Sequence, residues 1–236
     1  MKEYIFQGCR RLHGTDSRAL RRQNAEGRTG RRGFEIGNPV GRQIAVNLFP
    51  GHGKQPNPLR HRSNHFLRCA GQGDAAILGI LRRCGAELSA TDEGIRLGKA
   101  PLRGTDIDLA DCPDLGPVLM VLGLFCEGTT TIRNAERLRI KESDRIAAME
   151  AELRACGGVL ESEGGTITIH GCAGKLHAPA APLHGHNDHR VVMSLTVLAL
   201  AAGLPLSIDD AEAVQKSWPH FFEAIKPLGA EVEYAG

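Results

Sequence analysis

Seven side chains in this sequence could do chemistry together: Asp114, Lys141, Glu142, Arg145, His189, Arg190 and Lys216. They lie in three polar clusters and one isolated lysine, set between apolar stretches. The first cluster, RLRIKESDR at Arg137–Arg145, crowds Arg137, Arg139, Lys141 and Arg145 around Glu142 and Asp144. A helix start presents unpaired N–H groups and a partial positive charge. Arginine and lysine added there make an anion site. Lys141 and Arg145 share a face if the first helical turn reaches back that far. Read alone, the cluster is equally a salt-bridged, solvated helix end.

The second cluster is HGHNDHR, His184–Arg190. Asn187 or Asp188 can cap a helix whose first turn then holds His189 and Arg190. The spacing of His184, His186 and His189 also admits a metal reading, but no cysteine joins the set and Arg190 would repel a cation. No metal is expected at this spacing. In the third cluster, DCPDLGP at Asp111–Pro117, Asp114 is either a helix cap or a base placed among cations. Lys216 adds a fourth cation. Together these groups would form a cationic pocket holding two carboxylates, suited to a small polyanionic substrate and a reaction with proton transfers.

An internal repeat explains how such distant residues could meet. GDAAILGILRRCGAELSATDEGIRL begins at Gly73, ESDRIAAMEAELRACGGVLESEGGTITI at Glu142, and SWPHFFEAIKPLGAEVEYAG at Ser217. Their glycines Gly85, Gly157 and Gly229 are 72 residues apart each time (157 − 85 and 229 − 157). Each copy reads as helix, glycine stop, hairpin. Ile77, Leu81 and Cys84 share one helical face, as do Ile146, Met149 and Leu153. The three glycines suit the left-handed position past a helix end. Ser143 and Ser217 are expected N-caps, and Pro219 an early helical residue. Expected strands are 87–90, 95–97, 159–161 and 166–170.

Between the copies lie two further similar segments, Asp114–Ile132 and Asp188–Ile208. Each is an apolar helix, a glycine turn and a strand, followed by IxxAE. Helices apolar all round are buried. The fold class expected is therefore α/β: repeated βαβαββ units with helices inside and sheets outside. Equivalent positions in such repeats fall at one end of the domain, which is where the seven residues stand.

Composition draws the one clear boundary. Residues 1–68 carry 14 Lys or Arg against 4 Asp or Glu, and the remainder 15 against 23, giving +10 and −8 and the net +2. Residues 1–70 are expected to be a basic, poorly ordered or out-of-frame segment, with Ile44–Phe49 its one plausible strand. Sparse aromatics and the lack of a nucleic-acid motif argue against a nucleic-acid partner. The longest apolar stretch, Val191–Leu206, is shorter than a membrane span, so no membrane partner is expected. Seven cysteines without a CxxC pair read as free thiols, and with no apolar leader core at the start the expected location is cytoplasmic.

RIKESDRIAAMEAELRACGG and HNDHRVVMSL resemble the Lys-Glu-[Ser/Thr]-Asp-Arg and Asp-His-Arg signatures of the 3-phosphoshikimate 1-carboxyvinyltransferase (enolpyruvyl-shikimate-phosphate synthase) family. DCPDLGPVLMVLGLFCEGTTTIRNAERLRIKESDR, QGDAAILGILRRCGAEL and DDAEAVQKSWPHFFEAIKPLGAEVE resemble it continuously around them. The resemblance covers residues 71–236, which would be an incomplete C-terminal domain of the family's inside-out barrel. It implies transfer of the enolpyruvyl group of phosphoenolpyruvate to the 5-hydroxyl of shikimate 3-phosphate, by proteins that are monomeric when complete. It implies that Asp114 deprotonates or orients the hydroxyl, that Lys141 helps activate it and holds substrate charge, and that Glu142 exchanges a proton with the methylene carbon. Arg145 and Arg190 would clamp the carboxylate and phosphate of phosphoenolpyruvate, His189 and Lys216 would bind or protonate the departing phosphate region, and no metal or organic cofactor is implied.

The family's N-terminal motifs are missing from residues 1–68. The chain is therefore expected to hold only part of the shikimate 3-phosphate site and to turn over little alone. Two other readings stay open: a UDP-N-acetylglucosamine 1-carboxyvinyltransferase-like enzyme, against which KESDR and NDHR argue, and a non-catalytic anion-binding protein.

Overall fold

The computed structural model describes residues 3–7, 73–91, 94–98, 100–228 and 230–235. Its centre is formed by helices, of which the second and fourth are buried along most of their length. Helix α1 is Ala76–Arg83, α2 Gly116–Phe125, α3 Arg145–Ala155, α4 His189–Ala202 and α5 Phe221–Ile225. Every side chain of α2 is apolar, and Leu119, Met120 and Leu124 are fully buried. Each such side chain contributes about 1.5–3 kcal/mol relative to exposure. Helix α2 runs against α4, whose Val191, Val192, Leu195 and Leu198 are also fully buried. Thr196 lies in the same core because its hydroxyl donates to the Val192 carbonyl, 2.9 Å away. Ile146, Met149 and Leu153 of α3 complete the expected apolar face.

The strands surround this helical centre. A four-stranded sheet has the order β4-β5-β7-β6, formed by Asp106–Asp108, Thr129–Arg133, Thr166–His170 and Val159–Glu163. Strand β4 is parallel to β5 and the other pairs are antiparallel. Ile132 stands opposite Ile167 in the register, and both face the core. Strands β2, Glu87–Thr91, and β3, Gly94–Gly98, form a separate hairpin. The third sheet has the order β8-β1-β9, from Leu206–Ile208, Glu3–Gln7 and Glu231–Ala235.

The repeat reading holds in its main points. All four expected strands form, within one or two residues of the bounds read from sequence. Gly85 and Gly157 have φ of 93° and 87°, a region that side chains avoid, so a glycine is required after each helix. Gly229 and Ile44–Phe49 lie outside the described residues. The α/β class with buried helices and outer sheets is what the structure shows.

Four local expectations fail. Strand β1 was not expected, although Tyr4, Ile5 and Phe6 are a run of strong strand formers. Asp144, not Ser143, caps α3: its Oδ1 accepts from the Ile146 and Ala147 amides at 3.1 and 3.0 Å. The carboxylate is the stronger acceptor for the positive helix end. The helix therefore starts at Arg145, and Lys141 stands in extended backbone before it rather than in its first turn. At the C-terminal unit, the Ser217 and Trp218 amides both bond the Val214 carbonyl, extending the 3-10 turn Ala211–Lys216. Ser217 and Pro219 thus precede α5, which begins at Phe221.

Candidate functional site

The base of the site is a buried ion pair. Asp188 is fully buried and caps α4 by accepting from the Arg190 amide at 2.9 Å. Its carboxylate also takes the Arg145 fork, Nε at 2.8 Å and Nη2 at 3.2 Å, and the Ser143 hydroxyl at 3.1 Å. Arg145 is only 3% exposed. Two charges can stay this deep because they pair bidentately, Asp188 accepts four hydrogen bonds in all, and Arg145 donates a third to Asp114. Burial would raise the Asp188 pKa, but the Arg145 hydrogen bonds, the Arg190 amide and Ser143 outweigh it and hold the carboxyl below its ordinary value. This pair joins the starts of α3 and α4, and so brings the KESDR and NDHR segments together.

Asp114 sits above the pair, in the 3-10 turn Pro113–Leu115 that leads into α2. It makes no cap. Its Oδ1 lies 3.1 Å from Arg145 Nη1 and 3.3 Å from Lys141 Nζ, while Oδ2 accepts from Arg190 Nη2 at 3.1 Å. Arg190 Nη1 also donates to the Asp114 carbonyl at 3.0 Å. Burial again pushes the carboxyl up, and the three cations, Arg190 first, pull it down further than burial raises it. Asp114 is therefore ionised at neutral pH and occupies the middle of a three-cation nest.

Glu142 centres the second half. His189 Nδ1 is 2.9 Å from Oε1, at ion-pair distance but without hydrogen-bond alignment, so the ring nitrogen has no hydrogen-bond partner. Lys216 Nζ stands 3.6 Å from Oε2 and donates to the Asn187 carbonyl. Lys141 and Glu142 adjoin in sequence, as do His189 and Arg190, so the two halves are one site. All seven residues singled out in the sequence meet here. Around the buried Arg145–Asp188 pair, the side chains of Lys141 and Arg190 are 27% exposed and Lys216 41%, which leaves the rim open to a ligand.

Other charged residues go elsewhere. Arg139 pairs with Asp144 at 3.2 Å and reaches Ser162 and the Gly164 carbonyl on the β6–β7 hairpin, a structural role. His184, His186 and His189 do not share a centre. His184 pairs with Asp209, His186 Nε2 lies 2.8 Å from Glu152 Oε1, and His189 faces Glu142. Glu142, Asp188 and His189 bring possible ligand atoms within 4.8 Å of one another, but Arg145 occupies both Asp188 oxygens and three further cations stand close. That surrounding suits an anion. Asp188 was read from the sequence only as a helix cap, so its hold on Arg145 was missed.

His184 gives a pH signature. Its bond to Asp209 raises its pKa, helped by Asp210 and Glu152 against partial burial. A raised folded pKa stabilises below the unfolded value of about 6.5 and is lost as pH rises through the folded value. Asp188 has the opposite sign: its contribution is present above about 4 and is lost as pH falls through its folded value. The stability difference between wild type and His184→Asn should shrink as unfolding is repeated from pH 6 to pH 9. An unchanged difference would remove the His184 pair from the account.

Residues 64–225 match the family described as EPSP synthase (3-phosphoshikimate 1-carboxyvinyltransferase). The 3-phosphoshikimate 1-carboxyvinyltransferase of Methanothrix thermoacetophila is 48% identical over 163 residues, 68% of this chain and 38% of that protein. The enzyme of the same name from Halorubrum lacusprofundi is 40% identical over 167 residues, 70% of this chain and 36% of its own. The EPSP synthase structure from Acinetobacter baumannii aligns with a TM-score of 0.58 at 28% identity, over 68% of this chain and 40% of that one. The chain thus spans less than two fifths of the length of these curated relatives. Among the described residues, no helix is long and apolar enough to cross a membrane.

Proposed function

The chain belongs to the EPSP synthase family, and on that premise we propose that its cationic nest binds phosphoenolpyruvate and serves enolpyruvyl transfer to the 5-hydroxyl of shikimate 3-phosphate. The observation that carries this reading is the convergence of Lys141, Arg145, Arg190 and Lys216 on two carboxylates of different surroundings, Asp114 and Glu142.

The family resemblance suggests the division of labour, and the positions of the side chains support it. Arg190 and Lys141, at the rim, take the carboxylate and phosphate of phosphoenolpyruvate. Arg145 backs them, three of its N–H groups already committed to Asp188 and Asp114. The acceptor hydroxyl adds to C2 of phosphoenolpyruvate, C3 takes a proton, and a tetrahedral intermediate forms. C3 then returns a proton as the C2–O bond to phosphate breaks, so that enol ether and phosphate are the products. Glu142 exchanges the C3 proton, with His189 beside it. Asp114 orients the hydroxyl as an acceptor. Its base strength rises when substrate anions offset the cations that depress its pKa. Lys216 and His189 receive the departing phosphate. Preorganised cations favour the intermediate because its negative charge is concentrated where they already point.

Phosphate release from phosphoenolpyruvate plus shikimate 3-phosphate tests the reading. The chain alone should release little. Supplying in trans the part of a relative that this chain does not span should raise the rate, and Lys141→Met should abolish that gain. Release that ignores either change would refute the reading.

A further inference from the structure

Helix α3 grips the segment before the site twice, and the second grip has no role in the reading above. Arg145 holds Asp188. Seven residues on (152 − 145), two turns along the same face, Glu152 holds the other end of that segment. Its Oε2 accepts from the His184 amide at 3.0 Å, and its Oε1 meets His186 Nε2 at 2.8 Å. Glu152 is 8% exposed, a depth at which a carboxylate needs partners on both oxygens. Both partners lie on the segment.

The segment needs holding. His186 and Asn187 have φ of 52° and 49°, two consecutive left-handed residues without a glycine. Such backbone is unfavourable and persists only where its surroundings over-determine it. The Gly185 amide donates to Asp209 Oδ1 at 3.0 Å, and Lys216 bonds the Asn187 carbonyl. The turn ends at Asp188, from which His189 and Arg190 enter the site.

We propose that Glu152 is a positioning residue: through the 184–187 turn it sets where the start of α4 presents His189 and Arg190 to the anion. Only the affinity part of its test rests on the reading of the site as a phosphoenolpyruvate site. Amide resonances of residues 184–190 are compared in the whole chain for wild type, Glu152→Ala, Glu152→Gln and Ala148→Gly, each then titrated with phosphoenolpyruvate. Ala148→Gly weakens the same helix and leaves both Glu152 bonds to the turn in place. Glu152→Ala should move the Asp188, His189 and Arg190 amides and weaken phosphoenolpyruvate about tenfold, the scale of one lost charged hydrogen bond. Glu152→Gln, which keeps one carbonyl acceptor, should fall between. Ala148→Gly should leave resonances and affinity near wild type. Resonances that stay in place in both Glu152 variants, or that move equally in Ala148→Gly, overturn the proposal. If Glu152→Ala does not fold, Glu152→Gln decides alone. If wild type itself does not bind phosphoenolpyruvate, the functional reading fails and the resonances still decide the positioning role.

Discussion

Arg145→Met should cost about 3–5 kcal/mol of stability, the penalty for breaking a buried pair by removing one partner. Asp188 is fully buried and depends on Arg145 for both oxygens, so the substitution strands a carboxylate with only Ser143 and the Arg190 amide for compensation. Natural domains are stable by about 5–15 kcal/mol, so the loss is a large share of the total. Asp114 also loses one of its three cations. The double variant Arg145→Met with Asp188→Leu removes both charges and should recover much of the stability, because well-packed apolar replacements of buried pairs are often neutral. It should not recover anion binding. Urea unfolding of the three proteins separates these effects. A loss below about 1 kcal/mol in Arg145→Met would mean the pair is solvated like a surface bridge.

Asp114→Asn should act in opposite directions on binding and turnover. Lys141, Arg145 and Arg190 now share one carboxylate. Removing its charge frees Lys141 and Arg190 at the rim from their internal anion, while Arg145 keeps Asp188, so phosphoenolpyruvate and inorganic phosphate should bind more tightly. Turnover, measured with the unspanned part of a relative supplied, should fall by about 10²–10⁴, the range for losing a positioned proton acceptor. Tighter binding with slower release is hard to obtain from general damage to the fold. Weaker binding together with slower release would show that Asp114 organises the cations rather than competes with the ligand for them.

Much of the fold was legible because it repeats. The recurring glycine after each helix and the wholly apolar α2 announced buried helices, and Gly85, Gly157 and Leu119 sit as that reading requires. The seven site residues were legible because charge concentrated beside apolar helices is unusual. What the letters concealed was pairing. Arg145 and Asp188 are 43 residues apart (188 − 145), and nothing local distinguishes Asp188 from an ordinary cap. Glu152, within AELRA, reads as a solvated helix residue until the 184–187 turn is folded over it. Ser143 looked like the cap because serine favours that place, but Asp144, one residue later, brings a full charge to the same amides. Strand β1 was overlooked because the basic residues that follow it dominated the composition of the segment.

The account rests on the convergence of these groups on one anion. A titration of the chain with phosphoenolpyruvate, followed by backbone and side-chain resonances, tests it most directly. The expected result is saturable shifts at Asp114, Lys141, Glu142, Arg145, His189, Arg190 and Lys216, lost together in Arg190→Met. Shifts spread over unrelated surfaces, or confined to the basic stretch before residue 69 and abolished by modest salt, would contradict it.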